Sequence, residues 1–319
     1  MALNDCDLPD RSTLLSVNGL IQLSLLGSGA SGQVYACRSR TNPVNEVAVK
    51  MIPKNMGEGD NNHQAQIDEL RIVRRIGKLS AHENIVRFYH DFHDAHFLCM
   101  VMEICCGGNL DSYLFLKQKK NQYVEEREAL EIIRQVASGL EFLHKEGSII
   151  HRDIKSANIM IKRIASSGAY NYKIGDFGFS RQLAPGEKAK TMLGTPLFMA
   201  PEVLMGKGYS FSADIWSLGC VLFNCLFGKR PFGGSNPKEL LRSILSERGS
   251  SALMILPPYP HVSTGTHRLL SGLLFVRPAS RLSLDNIHRR NIFLEKRGSQ
   301  STRVASPSSS TSYVVGGCF

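Results

Sequence analysis

None of the eight cysteines (Cys6, Cys37, Cys99, Cys105, Cys106, Cys220, Cys225 and Cys318) stands in CxxC spacing, and most sit in apolar surroundings. A disulfide framework and structural zinc are therefore not expected, whereas reduced thiols of an intracellular protein are. Apolar runs are short as well. The longest surrounds SLGCVLFNCLFG (217–228), well below the roughly twenty residues that cross a bilayer. The opening MALNDCDLPD has neither the basic start nor the apolar stretch of a secretory signal, residue 2 is alanine, and Cys318 is next to last. Export, myristoylation and prenylation are accordingly not expected, and a cytoplasmic location is. There is no internal repeat.

What remains is an ordinary globular composition, 43% hydrophobic and 21% charged over 319 residues, enough for one large core or two lobes. The net charge of +10 would admit acidic partners, but the basic residues are dispersed, with short runs only at KQKK (117–120) and HRR (288–290). Such dispersion reads as a solvated basic surface, so neither a nucleic-acid partner nor membrane insertion is expected.

Residues 20–60 combine glycine with β-branched residues and predict strands joined by turns. At Ile67, Leu70, Val73 and Ile76 the period becomes helical and predicts an amphipathic helix over 63–77, followed by strands in IVRFYHDF and HFLCMVMEI. Beyond CCGGN (105–109) the pattern is helical, with an apolar stripe at Leu130, Ile133, Val136, Leu140 and Leu143 and further helices at 213–227, 236–247 and 283–293. The expected fold is α+β and bilobal: a small antiparallel-sheet lobe with one helix over about 15–104, and a larger helical lobe over about 105–296. Gly107 and Gly108 mark the junction. Residues 1–14 are read as an extension and the serine-rich segment 297–319 as disordered.

Four stretches carry chemistry. In LGSGASGQV (26–34), Gly27, Gly29 and Gly32 have the GxGxxG spacing with which backbone N–H groups approach phosphate. A Rossmann unit would open a helix here, but Val34 and YACRS continue as a strand. VAVK ends an apolar strand on Lys50, which is either an edge solubiliser or a phosphate ligand oriented by a carboxylate; Glu69, in the predicted helix, is the candidate carboxylate. In IIHRDIKSANIM (149–160) a polar centre lies between apolar anchors, an arrangement that is costly unless its charges are paired or used. Asp153, Lys155 and Asn158 there supply a proton acceptor, a cation and a neutral oxygen ligand. KIGDFGFS adds Asp176 in a turn, a carboxylate suited to Mg²⁺. His90, His93 and His96 are spaced by three, which alternates faces on a strand, and no acidic or cysteine cluster completes a metal site.

With GSGASGQV, VAVK, HRDIKSAN and DFG in that order, followed by MAPE (199–202) and ADIWSLG (213–219), residues 15–296 resemble the eukaryotic protein kinase family. The resemblance implies ATP and Mg²⁺ as cofactors and assigns roles residue by residue. Asp153 would orient the substrate hydroxyl and accept its proton, Lys155 would stabilise the transferring phosphoryl, and Asn158 and Asp176 would hold Mg²⁺. Lys50 would grip the phosphates with Glu69 orienting it. His151 and Phe177 resemble packing elements. Val34, Ala48 and Met160 resemble the apolar plates around adenine, Met102 the gatekeeper, and Glu103 and Cys105 the hinge residues. Asp214 resembles the brace of the catalytic loop and Arg281 the partner of Glu202.

Lys155 together with GTPLFMAPE (194–202) resembles the serine/threonine branch, which implies protein substrates with Ser or Thr acceptors. Thr191 lies at the usual activation-loop phosphosite, with Arg152 and Arg181 as its ligands, which implies an upstream activating kinase. Uncharged Asn109 and Ala157 argue against a basophilic preference, and Met192 with Met199 points to an apolar pocket after the acceptor. DFGFSRQL, the insertion RIASSGAYNY and GKRPFGGSNPKELLRSI resemble the autophagy-initiating, ULK-type kinases. A pseudokinase scaffold, the rival class, would lack one of Lys50, Asp153, Asn158 or Asp176, and all four are present.

Overall fold

The computed structural model describes residues 11–29, 32–41, 46–54, 61–184, 186–189, 194–246 and 262–288. The first ten residues, Thr191, Met192 and the serine-rich segment from 297 onward lie outside them.

The first lobe is a five-stranded antiparallel sheet of β1 (Leu20–Gly29), β2 (Gly32–Ser39), β3 (Glu46–Pro53), β4 (Phe88–His93) and β5 (Phe97–Glu103), in the order β1-β2-β3-β5-β4. Side chains alternate across it, as strand geometry requires. Val49 and Met51 of β3 enter an upper apolar cluster with Tyr35, Phe97 and Cys99, so Lys50 projects from the opposite face. There Ile52 and Met100 meet Ile72, Val73 and Ile76 of an 18-residue helix, Asn61–Lys78. Burial of that apolar stripe lays the helix along the sheet and points Glu69 at Lys50.

A helix α1 (Arg11–Val17) caps the upper cluster through Leu15, which is fully buried, and it runs across the boundary expected after residue 14. The helix at Asn61–Lys78 is α2.

The second lobe is helical. Its central helices are α3 (Leu110–Lys119), α4 (Glu126–Lys145), the short α5 (Pro201–Leu204), α6 (Phe211–Phe227) and α7 (Pro237–Leu245). The predicted stripe of α4 is buried throughout, and α6 is apolar on nearly every side, as a helix in the middle of a lobe must be. A helix at Thr264–Leu273 was not foreseen: TGTHRLLSGL opens with threonines and glycine and holds only two turns of apolar period. Of the expected 283–293 helix, Leu284–His288 is described. Beyond the helices, β6 (Ile149–Ile150) pairs with β9 (Arg181–Gln182), and β7 (Ile159–Arg163) and β8 (Tyr170–Ile174) form a hairpin between those two in the chain.

The glycine pair at the junction has a steric reason. Gly107 and Gly108 exchange backbone hydrogen bonds with Ile161 at 2.9 Å, and a Cβ on Gly107 would sit 2.7 Å from the Ile161 carbonyl oxygen. The connection can therefore lie flat on β7, which brings the sheet over the catalytic loop.

Candidate active site

Between the lobes lies a cavity of about 890 Å³. Gly27, Gly29, Gly32, Val34, Ala48 and Lys50 form its roof, Met102, Glu103 and Cys105 its back, and Asn158, Met160 and Asp176 its floor. All the residues assigned to nucleotide binding thus line the cavity, Glu69 from α2.

Lys50 Nζ lies 2.6 Å from Glu69 Oε1 and 3.2 Å from Asp176 Oδ1. Burial alone would lower the pKa of Lys50, and the two carboxylates more than reverse it, so the ammonium stays charged. Asp176 is displaced the other way: burial would raise it, but Lys50 and the backbone N–H of Gly178 bring it below the usual carboxylate range. Its backbone sits at φ 55°, a left-handed conformation uncommon for aspartate, which aims the carboxylate back into the cavity.

The catalytic-loop residues converge on Asp153, only 3% exposed. Asn158 Nδ2 donates to its carbonyl oxygen (2.8 Å) and to Oδ2 (2.9 Å), Lys155 Nζ lies 2.8 Å from Oδ2, and the N–H and hydroxyl of Thr195 donate to Oδ1 at 2.9 and 3.0 Å. Lys155 also donates to the Thr195 hydroxyl (2.8 Å), so Thr195, to which the sequence assigned no role, is part of the site. Because the Asn158 amide nitrogen is spent on Asp153, its oxygen is the group left for the cavity. With the Asp176 carboxylate it forms a hard oxygen pair of the kind that suits Mg²⁺.

The loop is held from beneath. Asp214 accepts the backbone N–H groups of His151 and Arg152, both at 2.9 Å, as its expected bracing role requires. His151 is fully buried, faces Gly175 O at 3.1 Å and meets Phe177 edge-on at 5.3 Å, so both have packing roles. Arg281 holds Glu202 through two bonds of 2.7 and 2.6 Å. Three contacts have no counterpart in the sequence reading. His144 Nε2 lies 2.8 Å from Asp214, and the Glu103 carboxylate lies 2.6 Å from Lys162 and 3.1 Å from Lys173. Burial would raise Glu103, and the two ammonium groups carry it below its ordinary value.

The two arginines assigned to the activation loop already have partners. Arg152 Nε donates to Phe179 O at 2.5 Å with its guanidinium 5.7 Å from the centre of the Tyr209 ring, and Arg181 pairs with Glu187 at 2.5 Å. Of the apolar pocket expected after the acceptor, Met199 is buried.

Residues 20–293 match the family described as Protein kinase domain. The chain belongs to the protein kinase family. A probable cell cycle serine/threonine-protein kinase CDC5 homolog of Encephalitozoon cuniculi is 33% identical over 275 residues, covering 86% of this chain and 54% of that protein. Serine/threonine-protein kinase PLK2 of Mus musculus is 33% identical over 273 residues (85% and 37%), and serine/threonine-protein kinase ULK1 of Homo sapiens 35% over 268 residues (82% and 24%). The chain therefore spans between 24% and 54% of the length of these relatives. It has the family's bilobal fold, a five-stranded antiparallel sheet above a helical lobe.

Proposed function

We propose that this kinase transfers the γ-phosphate of ATP, with Mg²⁺, to serine or threonine hydroxyls of protein substrates. The observation that carries the reading is the pair of contacts made by Lys50, on the roof of the cavity, with Glu69 and with Asp176 on its floor, beside Asn158, which is hydrogen-bonded to Asp153. A charged lysine held by two carboxylates is positioned for phosphate oxygens, and the glycine-rich turn offers backbone N–H groups beside it. The Glu103 N–H is used by Arg87 O (2.8 Å), so what Glu103 turns to an adenine edge is its carbonyl, with the Cys105 N–H two residues on.

In this reading Asp153 orients the acceptor hydroxyl and takes its proton while Lys155, fixed between Asp153 and Thr195, stabilises charge on the moving phosphoryl. Asn158 and Asp176 supply the oxygens for Mg²⁺, whose charge offsets that of the phosphates. Thr191 is the proposed activating phosphosite, the target of an upstream kinase. Its phosphate would pair with Arg152, which has no carboxylate partner among the described residues, and would compete with Glu187 for Arg181.

A cytoplasmic location accords with the free cysteines, and among the described residues no helix is long and apolar enough to cross a membrane. A role in autophagy or related signalling rests on the ULK-type motifs and the 35% identity to ULK1; the 33% identity to PLK2 over 273 residues supports a wider signalling reading equally. Phosphoamino-acid analysis after incubation with labelled ATP, Mg²⁺ and a generic protein substrate tests the assignment. Phosphoserine and phosphothreonine are expected, and phosphotyrosine as the main product would contradict it.

A further inference from the structure

We propose that Arg230 determines substrate specificity by selecting protein segments that carry an acidic side chain close to the phosphorylated hydroxyl; this rests on the kinase reading above. The chain of contacts starts at the acceptor site. Thr195 is bonded to Asp153 through its N–H at 2.9 Å, and the turn Pro196–Phe198 that follows it is closed by the Phe198 N–H on Thr195 O at 3.0 Å. Phe198 is 5% exposed, and its ring lies 5.9 Å from the guanidinium carbon of Arg230, which is itself exposed.

Helix α6 brings Arg230 to that place. Its C-cap Gly228 is left-handed (φ 63°) with its N–H on Asn224 O at 2.9 Å, which turns Lys229 and Arg230 back over the Thr195–Phe198 turn. One turn earlier on the same helix, Asn224 Nδ2 bonds Ser156 Oγ at 3.3 Å, so the C-terminal end of α6 touches both the catalytic loop and the turn after Thr195.

The charges around this floor are one-sided. Neither Lys229 nor Arg230 makes an ion pair with a described residue. Asp153 is taken up by Asn158, Lys155 and Thr195, and Asp111, on the α3 side, accepts Ser156 Oγ at 2.8 Å. Asn109, Ala157, Leu197 and Asn224, which surround the loop, are neutral. A guanidinium lying against an aromatic ring keeps its N–H fork free for a carboxylate, which it binds bidentately. An extended segment advances about 3.3 Å per residue, so a side chain within about four positions of the acceptor reaches Arg230.

The test is a positional-scanning peptide library with Ser/Thr acceptors, ATP and Mg²⁺, using the whole chain as wild type, Arg230→Ala, Arg230→Lys and Arg230→Glu. Wild type is expected to prefer aspartate or glutamate over lysine on the order of tenfold at one position within about four of the acceptor. Arg230→Ala should remove most of that preference and Arg230→Glu should reverse it, with Arg230→Lys keeping part of it. Thermal unfolding of the variants confirms that the fold is retained. Transfer without an acidic preference, or a preference unchanged in Arg230→Glu, overturns the proposal alone. No transfer by wild type to any peptide or to a generic protein overturns the kinase reading and this proposal with it.

Discussion

The carboxylate of Asp214 lies 2.8 Å from Nε2 of His144, seventy residues earlier in the chain, while the same carboxylate holds the backbone of His151 and Arg152. Burial would raise the pKa of Asp214, but the hydrogen bond and charge of His144 and the backbone N–H of His151 leave it below the ordinary value. A depressed folded-state pKa stabilises the fold above the unfolded value of about 3.9, and that contribution is lost as pH falls through the folded value. Denaturant unfolding should therefore find Asp214→Asn destabilised by about 2 kcal/mol at pH 7. The gap from wild type should narrow below about pH 4. A constant gap from pH 7 to pH 3 would contradict this.

Lys50 and Glu69 differ in what their removal leaves behind. Lys50→Met removes the cation meant for phosphate and should lower kcat/KM on the order of a hundredfold. Glu69→Gln leaves Lys50 its contact with Asp176 at 3.2 Å and should cost less. Steady-state phosphate transfer gives both numbers, and equal losses would show that orientation by Glu69 matters as much as the charge itself.

The glycines of the roof are not equivalent. Gly32 has φ +132°, and an added Cβ would fall 2.3 Å from the carbonyl oxygen of Met51, whereas a Cβ on Gly27 meets nothing within 4 Å. Gly32→Ala should cost roughly 1–3 kcal/mol through strain and shift of β3, seen as a lower melting temperature and a higher KM for ATP. Gly27→Ala should leave the melting temperature unchanged.

Burial pushes the Cys105 thiol up to about 12. At pH 8 its thiolate fraction is then on the order of a thousandfold below that of an exposed thiol, and alkylation slows accordingly. Peptide mapping after brief iodoacetamide treatment should find Cys105 unlabelled and the exposed Cys106 labelled.

Much of this architecture was legible because it is local. The period of Ile67 to Ile76 fixed the direction of α2 and hence Glu69, and the alternation of VAVK fixed the face of Lys50. Motif order then singled out Asp153, Asn158 and Asp176 for their proposed roles. Contacts between distant residues that carry no pattern of their own were invisible: His144 with Asp214, Lys162 and Lys173 with Glu103, and Thr195 on Asp153. Helix α1 escaped because seven residues with one fully buried leucine show too little periodicity, and its stability comes from the sheet beneath it.

The most direct measurement compares γ-phosphate transfer from ATP to a generic protein substrate by the wild type and by Asp153→Asn, with nucleotide binding measured on both. Expected are transfer by the wild type, a loss of at least about a hundredfold in the variant, and ATP affinity little changed, because Asp153 does not line the cavity. Equal transfer by the two proteins would contradict the assignment of Asp153. Absence of transfer by a wild type that binds ATP, persisting in Thr191→Glu, would contradict the assignment of the chain as a working kinase.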